Sequence, residues 1–263
     1  MNVRPAAVAG SFYPRDPGSL ADQVKGHLAA TAPQPRARPP KAIIAPHAGY
    51  IYSGPIAAAA YALLGACRGV VKRVVLAGPA HRIYVEGAAV STAKGFDTPF
   101  GTVPIDRDLV ARLLELPFVE ASDAAHALEH SLEVHLPFLQ AVLGEFSLVP
   151  IVVGDAAPGQ MADLFEVAWG GEETLVVVSS DLSHYLPYDV ARKRDRGTVD
   201  SILALDARID PEAACGARPI NGLLTLARRR HMAIELLDLR NSGDTAGDRD
   251  RVVGYASFAV YEK

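Results

Sequence analysis

Apolar residues in this chain come in short unbroken runs, and each run stops at small polar residues. Thr174–Val178 is β-branched or leucine throughout, with no polar alternation after its first residue. Such a run reads as a strand buried on both faces, as in the interior of a parallel sheet. Ser179, Ser180, Asp181, Ser183 and His184 follow closely. Ala42–Ala45 runs in the same way into Pro46 and His47, and Val74–Ala77 into Gly78-Pro-Ala-His81. A fourth run, Ala233–Leu237, leads on to Asn241-Ser-Gly-Asp244. Small polar residues past the carboxyl ends of buried strands sit where open α/β sheets build their sites. Were these strands parallel neighbours, three imidazoles and Asp244 would converge on one rim.

Between the runs the pattern turns helical. Leu20, Val24 and Leu28 form one stripe of a helix over about 19–30, with Asp16 as its cap and Pro17 in its first turn. Residues 31–40 (TAPQPRARPP) cannot be helical and read as an exposed connector. Pro55 opens an alanine-rich helix that Gly65 stops. Val85–Thr92 and Gly101–Ile105 read as strands around a turn-rich segment, an antiparallel insertion. Asp108–Leu116 is a short helix. A longer one is expected over about 124–143, with Leu128, Leu132, Leu136 and Leu139 buried and Pro137 kinking it or starting a new helix. Further on come a strand over 146–153, helices over 161–169 and about 189–205, a loop over Cys215–Gly222, a helix over 223–230 and a closing strand over 252–261. This alternation predicts an α/β fold: a single domain spanning residues 1–263, with a mixed, mainly parallel central sheet flanked by helices.

Composition narrows the partners. At 263 residues and 49% hydrophobic, the chain has ample core for such a domain. A net charge of −4 gives no electrostatic case for nucleic acid or an anionic membrane. No apolar run approaches the ~18 residues that span a bilayer. Met1–Pro5 lacks the apolar core of a signal peptide. Cys67 and Cys215 make no disulfide framework, and a reducing cytoplasmic location is expected.

The histidine ends carry the chemistry. Two histidines and one carboxylate form the facial set that holds Fe(II) and leaves positions open for substrate and O₂. The same residues also suit Zn²⁺ with a water, which gives a hydrolase. A further unligated imidazole suits a general base. His47, His81 and Asp244 thus read as metal ligands and His184 as the catalytic base, with the assignment left open by spacing alone. His126, His130 and His135 with Glu129 and Glu133 look metal-like, but the zincin motif places Glu directly after its first His. Their plainer reading is a helix with solvated Glu and His, one side chain of which lines the cleft. No G-x-S-x-G elbow and no phosphate-binding glycine pattern occurs. Ser180, Asp181 and His184 are too close in sequence to be read as a triad. Cys215 has only Arg218 nearby to activate it and reads as a buried thiol.

Taken together, Val8-Ala-Gly-Ser-Phe-Tyr-Pro14, Ala45-Pro-His-Ala-Gly-Tyr50 with Ser53-Gly54, Gly78-Pro-Ala-His81, Glu129-His-Ser-Leu-Glu-Val-His-Leu-Pro137, Ser179-Ser-Asp-Leu-Ser-His-Tyr185 and Asn241-Ser-Gly-Asp244 resemble the Memo family. Its prokaryotic members are also called AmmeMemoRadiSam system protein B. The resemblance covers nearly the whole chain and implies the LigB-like fold of class III extradiol ring-cleaving dioxygenases. It implies His47 and His81 as ligands of a nonhaem metal and His184 as the acid/base. The dioxygenases' third ligand is a Glu; here Asp244 is nearest, and an ungapped alignment lands on Thr245. The implied cofactor is a divalent metal, Fe(II) first, with zinc or copper as alternatives. The implied substrate is a catechol-like aromatic. Animal Memo proteins are regarded as adaptors that bind phosphopeptide and metal, which gives a contrasting expectation: a scaffold for a peptide or for AmmeMemoRadiSam partner proteins, with a vestigial cleft.

Overall fold

Asp16 opens the first helix: its carboxylate accepts from the Ser19 N–H at 2.8 Å, and α1 runs over Pro17–Ala29. The computed structural model describes residues 2–31 and 38–262, so residues 32–37 of the expected connector lie outside the described residues. The chain enters β1 (Ala42–Ala45), buried at every residue, and then α2 (Tyr50–Tyr61). Helix α2 starts five residues before the expected Pro55, which sits inside it. There the proline forfeits a single main-chain bond near the helix start, and the helix tolerates it. A 3₁₀ turn, Ala62–Cys67, continues α2. The stretch Tyr50–Cys67 is, against expectation, apolar and long enough to cross a membrane by length and composition. However, Tyr50, Ile56, Ala58, Tyr61 and Leu64 are buried in the fold, where the helix packs on the sheet.

β2 (Arg73–Pro79) and β3 (Ala88–Val90) follow, then a separate hairpin of β4 (Gly95–Thr98) and β5 (Gly101–Pro104), and α3 (Arg107–Leu113). After β6 (Val119–Ala121) the expected helix over 124–143 is broken in two. α4 covers only Asp123–Ala127 and α5 covers Leu136–Leu143, with Pro137 in its first turn and a 3₁₀ turn at Glu133–His135 before it. Leu128, expected in the core, is exposed. The break has a polar cause: Glu129 and Glu133 are buried and accept hydrogen bonds from other parts of the chain, which a solvated helix face would not allow.

The remaining elements are β7 (Ser147–Val153), α6 (Pro158–Ala168), β8 (Thr174–Ser179), β9 (His184–Leu186), α7 (Tyr188–Leu203), α8 (Ala217–Arg229), β10 (Ala233–Asn241) and β11 (Val252–Tyr261). Helix α8 takes up most of what was expected to be a loop, because Pro219 falls in its first turn, where a proline is accepted.

The main sheet runs β10-β11-β1-β8-β2-β7-β3-β6, with β9 added against β11. Strands β1, β8, β2 and β7 are mutually parallel, which accounts for their unbroken apolar sequences. β11 is antiparallel to both β1 and β10, and β3 is antiparallel to β7. Helices α1, α2 and α5 pack together, as do α3, α6 and α8, and they flank the mixed sheet. The order places the ends of β1, β8 and β2 side by side, and these are the strands that lead to His47, His184 and His81.

Candidate metal centre

His47 leaves the end of β1 and is 2% exposed. Its Nδ1 lies 2.6 Å from Ser179 Oγ, the last residue of the neighbouring β8. That hydroxyl gives its own proton to the Ser131 carbonyl at 2.6 Å, so it accepts from His47. The proton therefore sits on Nδ1, and Nε2 keeps a free lone pair. Burial first, then the neighbouring imidazoles, push the His47 pKa well below its usual value, so the ring is neutral.

His81 is fixed in the same sense. Its Nδ1 lies 2.9 Å from Glu129 Oε1, and its peptide N–H donates to Glu129 Oε2 at 2.6 Å. The Ser131 N–H also donates to Glu129, at 2.9 Å. Burial raises the Glu129 carboxyl, but these bonds more than reverse it and hold it at about 2. A carboxylate on Nδ1 orients the ring and leaves Nε2 as the donor, the support found behind many metal-binding histidines.

The third imidazole is that of His130. It stacks on His81 with centroids 4.6 Å apart and stands edge-on to His47 at 5.4 Å. Donor atoms of His47, His81 and His130 all lie within 4.8 Å of one another. Burial lowers the His130 pKa to about 4, and its Nδ1 is buried without a hydrogen-bond partner. Phe12 covers the ring from the N-terminal arm at 4.8 Å. Three imidazoles whose donor atoms face one another, two of them with Nε2 left free by a partner on Nδ1, fit a divalent cation.

His47 and His81 are brought together as the sequence suggests, but Asp244 is not brought to them. Strand β10 ends on the same rim as β1, yet β11 lies between them, and two strand spacings amount to roughly 10 Å. The Asp244 carboxylate is also engaged elsewhere: it accepts from the Asn241 N–H at 3.0 Å and the Tyr188 hydroxyl at 2.5 Å. Thr245 bonds back to the Ser242 carbonyl. His184 stands at the start of β9, where partial burial of its ring first, and the nearby His81 in part, lower its pKa.

Sequence reasoning preferred a solvated helix face for His130, with one side chain of its segment in the cleft, and a buried thiol for Cys215; the structure brings His130 into the cluster. The signal for His130 was the pair of glutamates flanking it in Glu129-His-Ser-Leu-Glu133, which the fold buries. Asp181, 4% exposed, accepts from the His47 N–H at 2.8 Å, and burial raises its carboxyl to about 7. Burial likewise pushes the Cys215 thiol up, and Arg218, its expected activator, is paired with Asp155 at 2.6 Å.

A cavity of about 500 Å³ reaches the cluster at His81 and is lined also by Ile83, Tyr84, Cys215 and Arg218 among others. That is the size of a small-molecule pocket. A larger cavity of about 1240 Å³ lies near the opposite ends of β2 and β7, between α1 and α5, and holds no histidine.

The likeness to other proteins agrees with this architecture. The sequence profile described as Memo-like protein matches residues 4–259. MEMO1 family proteins of Sulfolobus acidocaldarius and Aquifex aeolicus are each 36% identical over 97% of this chain and 98% of theirs. The MEMO1 family protein MK0963 of Methanopyrus kandleri is 37% identical over the same shares. A crystal structure of an uncharacterized protein, JW3007 from Escherichia coli K12, superposes with a TM-score of 0.55, covering 84% of this chain and 99% of that one. At 15% identity that last likeness concerns the fold alone. On a full-length profile match and relatives above one-third identity, the chain belongs to the Memo family.

Proposed function

We propose that this protein is a metal-dependent enzyme whose divalent ion, Fe(II) in the first instance, is held by His47, His81 and His130, and that it oxidises or cleaves the ring of a small catechol-like aromatic. One observation carries the reading: three imidazole donors within 4.8 Å of one another, one of which, His81, lines a cavity of substrate size. Fe(II), when bound, supplies the redox centre that lets O₂ react with such a ring. The protein's own contribution is positional. Ser179 and Glu129 hold the Nδ1 protons of His47 and His81, so both Nε2 atoms stay available as donors. Ile83 and Tyr84 give the cavity an apolar and aromatic wall. His184 has a lowered pKa and one ring nitrogen bonded to the Leu182 carbonyl. It is neutral near pH 7, and in this reading it accepts a phenol proton on its other nitrogen.

A second reading follows from the donor set itself. Three imidazole donors with an open position form the set that activates water on zinc. Protein purified without air or chelator decides between the two. Iron content with O₂ uptake on a catechol panel supports the first, and zinc content with turnover of an ester, amide and phosphate panel supports the second. Protein that retains no metal and turns over neither panel overturns both, and a partner-binding scaffold then stands in their place.

A further inference from the structure

Helix α7 buries Ala191, Asp195, Val199 and Ile202, one stripe at helical spacing. An apolar side chain suits such a stripe, and Asp195 breaks it with a carboxylate that is 2% exposed. A buried carboxylate is costly unless it is hydrogen-bonded or paired. Arg194, its neighbour in sequence, pairs with Glu212 at 3.7 Å instead. What Asp195 holds is main chain: its Oδ1 accepts from the Ser183 N–H at 3.0 Å. Ser183 is the residue before His184.

That bond fastens the link between β8 and β9. The Gly254 N–H donates to the Ser183 carbonyl and the Leu182 N–H donates to the Gly254 carbonyl, both at 2.8 Å, so β11 grips the same link. A Cβ at residue 254 would stand 2.0 Å from Asp195 Oδ2, so glycine there is what leaves room for the carboxylate. The link needs holding. Tyr185, directly after His184, has φ at 58°, a left-handed conformation that is strained for a bulky residue. Such strain persists only where the surroundings over-determine it. The Tyr185 side chain is 62% exposed, so its own burial does not supply the restraint. The pairing of β9 with β11 is itself irregular, its register shifting between Val252 and Val253, opposite Leu186 and His184.

We propose that Asp195 is the positioning residue for His184: its hydrogen bond to the Ser183 N–H fixes where the imidazole stands. This rests on the reading of His184 as the proton acceptor, and it assigns a buried side chain of α7 to that reaction with no contact to substrate or metal. The role requires an acceptor oxygen at residue 195 rather than a negative charge, because the group it holds is a neutral peptide N–H.

Ring-nitrogen NMR titration of His184 in metal-stripped full-length protein tests the placement without turnover. Burial lowers the His184 pKa in the wild type. Asp195→Leu completes the apolar stripe and removes the acceptor; it should release the ring to water and return its pKa to about 6.5. Asp195→Asn keeps an acceptor oxygen and should restore the lowered value. In iron-loaded protein, Asp195→Leu should retain metal, leave KM unchanged and cut kcat on the catechol panel by roughly 10²- to 10⁴-fold, the range for a general base. Added to His184→Gln it should cost nothing more, whereas a general structural defect would add its own loss. A wild-type His184 pKa in Asp195→Leu, or a loss that adds to that of His184→Gln, overturns the proposal. Full turnover in His184→Gln overturns the reading of the base instead, and the NMR shift then still decides whether Asp195 places the ring.

Discussion

Arg4 and Glu133, 129 residues apart in sequence, meet in the buried interior through a hydrogen bond of 2.6 Å. Their side chains are 5% and 0% exposed. Arg4 also donates to the carbonyls of His126 at 2.6 Å and Glu129 at 2.7 Å. Glu133 in turn accepts from the N–H groups of Ala7 and Val8 and from the Tyr13 hydroxyl. The pair thus clamps the N-terminal arm onto the segment that carries His130. Removing one partner of a buried ion pair costs about 3–5 kcal/mol. Arg4→Ala and Glu133→Ala should each lower stability by that amount in urea titration, and the double variant should lose clearly less than the sum. Additive losses would show that the two residues do not act as one clamp.

Metal stoichiometry should follow the imidazole cluster rather than the sequence expectation. Alanine at His47, His81 or His130 should each abolish binding, whereas Asp244→Ala should keep it, since that carboxylate bonds Tyr188 and Asn241. Glu129→Gln should weaken binding by roughly 10- to 100-fold, because it supports the His81 ring. His184→Gln should retain metal and lose turnover. Elemental analysis of folded protein reads all of these, and loss of metal in Asp244→Ala alone would reverse the assignment.

Stability should fall steeply with acid. Burial holds His126 and His130 near 4 and His135 near 3, whereas in the unfolded chain they return to about 6.5. These groups take up protons on unfolding between those values, so stability is full above about pH 6.5 and drops as pH falls toward 4. Each contributes about 1.4 kcal/mol per pH unit within its window. Asp181, raised to about 7, works in the opposite direction and offsets about one histidine. Calorimetry at pH 7 and pH 5 should give the lower melting temperature at pH 5; equal values would mean these rings are hydrated in solution.

Two glycines should respond in opposite ways to alanine. Gly216→Ala pushes a methyl to within 2.3 Å of a carbonyl oxygen and should cost about 1–3 kcal/mol. Gly197 is exposed inside α7 with nothing within 4 Å of an added Cβ, and alanine there should stabilise by about 0.5–1 kcal/mol. Denaturant midpoints measure both. A neutral Gly216→Ala would mean that the turn has room to retreat.

The strands were legible in the sequence because burial on both faces leaves a continuous apolar run, as in Leu175–Val178. His47 and His81 were legible because each follows such a run. His130 was hidden: its segment carries helix-like leucine spacing, and the carboxylate contacts that break the helix come from residues 4–13 and from His81. Asp244 misled because direction along a strand is local, while the place of a strand in the sheet is not. Nothing near Ala233 reveals that β11 slips in between. Cys215 was hidden for a related reason, since it approaches His47 from 168 residues away.

The position of β11 has a consequence for how the molecule is made. It is the last of the described strands, yet it lies between β1 and β10, beside the strand that leads to His47. During synthesis β1 is complete some two hundred residues before β11 exists, and its main-chain groups on that side stay open to other chains meanwhile. Ribosome-bound chains ending before Val252 should therefore be the aggregation-prone species, and chaperone dependence should concentrate in that interval.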